Sequence, residues 1–120
     1  METAETGRAG EAAAREYLRR AGYEICAMNW RSGPYELDII ARKGDTLHFV
    51  EVKTRREGSL TPPSAAITRR KFHALARAAT RYLALTHWPG EVQFDLVSVI
   101  RDADGQLHAE LVEQAMESHW

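Results

Sequence analysis

The sequence predicts an α/β protein, a mixed sheet flanked by helices, and three observations carry that prediction. An Ala/Glu/Arg/Leu-rich N-terminal stretch has helical period, two strongly apolar strands meet at a tight turn, and a second helix separates them from a further alternating strand. That second helix is long enough for the crossover that a parallel strand pair requires. With 120 residues, 44% of them hydrophobic and 28% charged, the chain is read as one domain over residues 1–120 with a single core.

From Thr6 to Ala21, Glu11–Arg15 and Glu16–Arg20 stand at i,i+4 spacing. Ala9, Ala13, Ala14, Tyr17, Leu18 and Ala21 supply an apolar face, and Gly22 is a natural stop. Tyr23 to Trp30 reads as a first strand, closed by Ser32-Gly33-Pro34. Glu36 to Arg42 and Thr46 to Lys53 read as the second and third strands around Lys43-Gly44-Asp45. Glu57 to Ile67, with Gly58, Pro62 and Pro63, is expected as a loop. Thr68 suits the N-cap of a helix ending near Thr86, in which Phe72, Leu75, Ala76, Ala79 and Leu83 recur with helical period. Val92 to Ile100 is expected as a fourth strand, Asp104-Gly105 as a turn and Leu107 to Val112 as a short fifth strand. The order is α-β-β-β-α-β with an added hairpin strand; the strand order within the sheet does not follow.

Composition narrows the function classes. No apolar stretch approaches a membrane span and the N-terminus lacks a signal-sequence pattern, so a cytoplasmic protein is expected. The single cysteine, Cys26, excludes an intrachain disulfide and a multi-cysteine zinc site. Net charge is −1, from 16 Lys+Arg against 17 Asp+Glu, so no global basic field announces a nucleic-acid partner. Basic residues cluster instead at Arg55-Arg56 and Arg69-Arg70-Lys71, while the chain from Asp102 onward is mainly acidic. The five His, at 48, 73, 87, 108 and 119, have no metal-ligand spacing, and no Gly-rich phosphate loop or Ser/Cys nucleophile set is present. Trp30 and Trp88 could stack on bases, but strand and helix ends need such residues for packing.

The informative segment is the hairpin, whose apolar strands contain Asp38, Glu51 and Lys53. Charges are usually kept out of sheet interiors. Side chains alternate along a strand, so Glu36, Asp38 and Ile40 share one face, and Glu51 and Lys53 share a face of the next strand. With Gly44-Asp45 as the loop, Lys43 pairs with Thr46, Asp38 faces Glu51 and Glu36 faces Lys53. With Lys43-Gly44 as the loop, partners shift by two and the faces still agree; an odd loop without a bulge separates them. Two facing carboxylates 5 Å apart repel by roughly 3 kcal/mol at an effective dielectric of about 20. They are close enough to share a cation, and hard oxygen ligands favour Mg²⁺ or Mn²⁺. Carboxylate, carboxylate and lysine around such an ion suit phosphodiester hydrolysis. A Glu-x-Lys strand is more commonly a solvated salt bridge; the matching Asp on the partner strand shifts the reading to a site.

These residues resemble the D…(D/E)-x-K signature of the PD-(D/E)xK nuclease superfamily. A wider set is similar to the YraN-like family of small bacterial proteins over nearly the whole chain: Gly10-Glu11, Gly22-Tyr23, Asn29-Trp30-Arg31, Glu36 to Ala41, Phe49 to Arg55, Lys71 and Phe94-Asp95. The resemblance implies a restriction-endonuclease-like α-β-β-β-α-β core, similar to archaeal Holliday junction resolvases. It implies Asp38 and Glu51 as metal ligands, the Val52 backbone carbonyl as a third, and Lys53 as the catalytic lysine. Glu11 matches a first-helix acid that approaches the metal, or else it is a surface residue paired with Arg15. Glu36 would tune the site or hold Lys53, and Lys71 would face the site and touch phosphate. Arg55 would lie nearby, with Arg31 and Arg56 as further nucleic-acid contacts. Tyr35 stands where the family usually has Gly, and Leu37 where the superfamily has a nominal Pro. For Asp95 a structural role at the sheet edge is preferred over a distant place in the site.

The expected function is a Mg²⁺- or Mn²⁺-dependent endonuclease acting on DNA, with branched or structured DNA as one option, by metal-activated water and without a small-molecule cofactor. The alternative is a nucleic-acid-binding module that keeps the fold without turnover; a third reading is an assembly partner with purely structural carboxylates. Since the net charge is near zero, a homodimer or another partner could supply the basic face that phosphate binding requires.

Overall fold

A computed structural model describes residues 4–60, 62, 65 and 67–115. The elements are α1 (Ala4–Arg20), β1 (Glu24–Ser32), β2 (Tyr35–Lys43), β3 (Thr46–Arg56), α2 (Arg69–Thr86), β4 (Glu91–Arg101) and β5 (Leu107–Val112). The strands form one sheet in the order β1-β2-β3-β4-β5. The β3–β4 pair is parallel, joined by the α2 crossover, and the other pairs are antiparallel. This mixed sheet with two helices is compatible with the α-β-β-β-α-β core expected from the sequence. No described helix is long and apolar enough to cross a membrane.

Local chemistry accounts for the boundaries. Thr68 caps α2 by accepting from the Lys71 N–H at 3.1 Å, and His87 closes it in the left-handed region with φ 52°. Gly44, at φ 60°, supplies the positive φ that opens a two-residue hairpin loop, so Lys43 pairs with Thr46. β3 continues to Arg56, three residues beyond the expected end, because its parallel partner runs beside it to Arg101. Among the described residues of the segment 57–67 there is neither a strand nor an α-helix. Pro63 and His119 lie outside the described residues.

The sheet separates two cores. Leu47, Phe49, Phe94 and Leu96 pack under Phe72, Leu75, Ala78 and Ala79 of α2. Val50, Val97 and Val99 pack against Ala14 and Leu18 of α1 on the other side. Two of the expected α1 face residues, Ala9 and Ala21, are exposed, and Gly10 is buried in their stead. Trp30 and Trp88 are both packed against the α2-side core, with Trp30 edge-on to Tyr82.

The expectation for Asp95 needs correction. β4 lies between β3 and β5, so Asp95 is interior to the sheet and fully buried, not at its edge. Its Oδ2 lies 2.6 Å from His48 Nδ1, while Oδ1 accepts from Gln93 Nε2 at 2.9 Å and from the Gln114 N–H at 2.8 Å. A buried carboxylate with three partners is satisfied, and this one ties β3, β4 and the chain after β5 together.

α1 meets β3 at close range. A Cβ on Gly10 would overlap Thr54 Oγ1, so only glycine lets the helix lie this near the strand. Gly10→Ala is expected to destabilise the protein by about 1–3 kcal/mol through overpacking. The Gly10→Ala/Thr54→Ala double variant should recover part of that loss. Urea unfolding of these two variants and of Thr54→Ala measures it, and additive losses would mean the two residues do not press on each other.

Candidate functional site

The site forms where β2 stops pairing with β3. Paired positions run from Lys43–Thr46 to Ile39–Val50, and the next pair in that register is Asp38 with Glu51. In place of a backbone ladder bond, Asp38 Oδ2 accepts from the Val52 N–H at 2.9 Å. A side chain thus satisfies the backbone donor where the strands part, and the two carboxyl groups hydrogen-bond each other.

The strand distortion behind this arrangement was hidden in the sequence. Asn29 has φ 50°, and β1–β2 pairing passes from Met28–Ile39 to Trp30–Leu37 around it. Met28 and Ile39 belong to the α1-side core, whereas Trp30 and Leu37 belong to the α2-side core. Both strands therefore exchange faces at Asn29 and Asp38, which strict alternation does not allow. Asn tolerates the left-handed region better than most residues, and that was the available sequence signal.

Lys71 completes the cluster from α2. Its Nζ lies 2.9 Å from Glu51 Oε1, and Glu51 is buried to 8% side-chain exposure. The first turn of α2 is Arg69-Arg70-Lys71 with no acidic residue, opposite to the preference of a helix N-terminus. Glu51 answers that excess. Lys53, two residues further along β3, shares Glu51's face and is half-buried.

The remaining sequence-derived residues lie around this cluster. Glu36 does not face Lys53 in a ladder, because β2–β3 pairing ends at Ile39–Val50; its cross-strand partner is Arg31, with Nη2 3.2 Å from Oε2. Glu11 is half-buried beside Gly10, at the level of Thr54. Among the described residues no three His, Cys, Asp or Glu side chains gather into a metal-holding group, so Asp38 and Glu51 stand as a pair. Arg55 and Arg56 border a cleft of about 800 Å³ that also includes Lys53 and Arg101. Tyr35 joins the hairpin to α2: its hydroxyl accepts from Arg77 Nη1 at 3.3 Å, and the Arg81 guanidinium lies 5.0 Å from its ring centroid. Sequence reading missed Arg77, Arg81 and Arg101, whose positions depend on how α2 and β4 dock.

Electrostatics set the chemistry. The Asp38 carboxyl is pushed from 3.8 up to about 7, first by burial and then by the Glu51 charge, while the Val52 N–H and Lys71 pull it down. A donor set of two carboxylates and the neighbouring Val52 carbonyl offers hard oxygen atoms, and Mg²⁺ commonly binds through one or two carboxylates with water and phosphate completing the shell. The residues present fit such an ion.

The sign of the pH effect follows. Asp38 holds its proton more tightly folded than unfolded, so this stabilisation is complete below about pH 4 and is lost as pH rises through about 7. Across that window it amounts to roughly 4 kcal/mol at most. Asp38→Asn keeps an oxygen for Val52 and removes the charge. Without divalent ions it should melt a few degrees above the wild type at pH 8 and nearly with it at pH 5, by thermal scans in EDTA. Lower stability at both pH values would instead make Asp38 a purely structural acceptor.

The chain is similar to known proteins over most of its length. The model of Uncharacterised protein family UPF0102 matches residues 10–99, which contain α1 from Gly10, the hairpin and α2. A UPF0102 protein of Nitratidesulfovibrio vulgaris is 50% identical over 95 residues, covering 78% of this chain and 71% of its own. One from Symbiobacterium thermophilum is 46% identical over 110 residues, covering 91% and 93%. A third, from Porphyromonas gingivalis, is 44% identical over 99 residues, covering 82% and 73%. With the matched region spanning three quarters of the chain and the whole Asp38–Glu51–Lys71 cluster inside it, the chain belongs to Uncharacterised protein family UPF0102, the YraN-like family.

Proposed function

We propose that this protein is a Mg²⁺- or Mn²⁺-dependent endonuclease acting on DNA, within the PD-(D/E)xK nuclease superfamily. The observation that carries the reading is the contact of Asp38 with Glu51 where the β2–β3 ladder ends, with Lys71 on Glu51 and Lys53 on the same strand face. Once Asp38 loses its proton, two adjacent carboxylates share the Lys71 ammonium, and a divalent ion would offset the second negative charge.

Asp38, Glu51 and the Val52 carbonyl would hold the ion, which when bound supplies an activated water and polarises the phosphate. Asp38 must first release its proton, so activity should rise with pH toward neutrality. Lys71 holds Glu51 in place and offsets the charge of the pair. Lys53 places its ammonium on the reacting phosphate, where negative charge grows in the transition state. The basic face that the net charge of −1 conceals is available on α2, whose five ionised residues, Arg69, Arg70, Lys71, Arg77 and Arg81, are all cations. Arg70 to Arg81 spans about 16 Å of helix, enough for several phosphates. Glu11, Glu36, Arg31 and Arg56 would act at the margin of the site.

A nucleic-acid-binding module without turnover is the competing reading, and the lack of a third acidic side chain in the described cluster favours it. Incubation of branched, single-stranded and duplex DNA with Mg²⁺ or Mn²⁺ separates the two. Cleavage should need the divalent ion and fall by about 10²–10³-fold in Lys53→Ala. Cleavage that survives this substitution would belong to a contaminant, and binding without cleavage would select the module.

A further inference from the structure

We infer that the cleft at the carboxyl ends of β3 and β4 is a second phosphate site, in which Arg55 clamps a DNA phosphodiester next to the one held at Asp38 and Glu51. Naming the anion as a DNA phosphate rests on the endonuclease reading; the anion site itself does not.

The first observation is Arg55. Its Nε and Nη1 are out of solvent contact and have no hydrogen-bond partner among the described residues. Idle buried donors on a permanently charged guanidinium are unusual, since each forfeits its hydration without a replacement. No hydrogen bond from either donor has to break when the side chain turns outward. An acceptor entering the cleft gains both in the forked geometry that a phosphate matches.

The second observation is the cleft. It measures about 800 Å³ and is bordered by Lys53, Arg55, Arg56 and Arg101, against two carboxylates, Glu57 and Asp102. Both carboxylates are already engaged. Glu57 Oε2 accepts from the Ala103 N–H at 3.3 Å. Asp102 accepts from the Asp104 and Gln106 N–H groups through Oδ1 and lies 2.8 Å from His108 through Oδ2. The His108 hydrogen bond and these backbone donors hold its carboxyl below the ordinary range, so it stays committed to the β4–β5 turn. Three arginines, Arg55, Arg56 and Arg101, line the cleft against these two engaged carboxylates, a balance that suits a chain of phosphates better than a single carboxylate.

The third observation is placement. Arg56 and Arg101 are register partners at the ends of the parallel pair, and the crevice beyond the carboxyl ends of parallel strands is where open α/β sheets take ligands. Lys53 both borders the cleft and shares a strand face with Glu51. Glu51 and Arg55 stand about 13 Å apart along β3, so a strand whose scissile phosphate sits at Glu51 would bring a phosphate one or two nucleotides away within reach of the Arg55 side chain. Arg101 joins the binding surface through β4, a role that no motif announces.

The test uses the full chain in EDTA, where no cleavage intervenes. Fluorescence anisotropy with a labelled oligothymidylate is measured across a salt series for wild type, Arg55→Ala and Arg55→Lys, with Arg20→Ala as a control on α1. Arg55→Ala should weaken binding by about tenfold and reduce the salt slope by about 0.7. Arg55→Lys should keep the slope and lose part of the affinity, and Arg20→Ala should change nothing. Inorganic phosphate and pyrophosphate should compete with the oligonucleotide. The melting temperature of Arg55→Ala should hold or rise, because two unsatisfied donors are removed.

Unchanged affinity and slope in both Arg55 variants would overturn the proposal, as would a fall in melting temperature with binding intact. Arg55-dependent binding of pyrophosphate without oligonucleotide binding would overturn the assignment to a DNA strand. Loss of cleavage in Lys53→Ala beside unaltered binding in Arg55→Ala rejects this site alone. Arg55-dependent binding in a protein that cuts nothing rejects the endonuclease and keeps the site.

Discussion

Asp38 and Glu51 hydrogen-bond each other at the end of an apolar hairpin, and three separate elements are arranged around the difficulty of keeping them there. Facing carboxylates repel, and burial raises the penalty by removing water. The relief comes from the Val52 N–H of β3, from Lys71 of α2 and from the proton that Asp38 keeps up to about pH 7. Lys71 serves twice: its backbone N–H donates to the capping Thr68 hydroxyl while its ammonium holds Glu51. The residue that starts the helix therefore also fixes the helix against the site. A run of three cations in a helix's first turn breaks a local rule, and such breaches gather where a site compensates them.

Much of this was legible from residue patterns. Thr68, Thr86 and the stretch Leu107–Val112 mark observed boundaries, and the Lys43–Thr46 pairing was one of the registers considered. Period and capping are local, so one sequence suffices to read them. The rest was set at longer range. Glu36 was expected opposite Lys53, but the ladder opens before reaching it and Arg31 takes the carboxylate. Asp95 was placed at an edge because its alternating strand gives no sign that β5 will cover it. The cations of the β3–β4 cleft share it only because a parallel crossover aligns Arg56 with Arg101, and such registers leave no trace in spacing.

Net charge also misled by averaging. The value of −1 combines α2, which holds five cations and no acid, with a mainly acidic chain from Asp102 onward. Fields that steer a polyanion depend on the charge along one face and fade over about a Debye length, roughly 8–10 Å. Segregation therefore matters more than the sum. Tyr35, at first a departure from the family pattern, belongs to this face: it anchors Arg77 and Arg81, and Arg81 also reaches the Ser32 carbonyl and hydroxyl. The β1–β2 hairpin is thereby fastened to the helix that carries Lys71.

β3 ties the stability of the fold to the geometry of the candidate site. Its odd positions run from core to site, with Leu47 and Phe49 under α2 and then Glu51, Lys53 and Arg55. Its even positions face α1, where His48 meets Asp95 and Thr54 meets Gly10. A slip of one residue would exchange the two sets and bring Glu51 and Lys53 beneath α1. The buried His48–Asp95 pair and the Gly10–Thr54 approach each fit only one register. Contacts on the α1 face thus decide which residues stand beside Asp38.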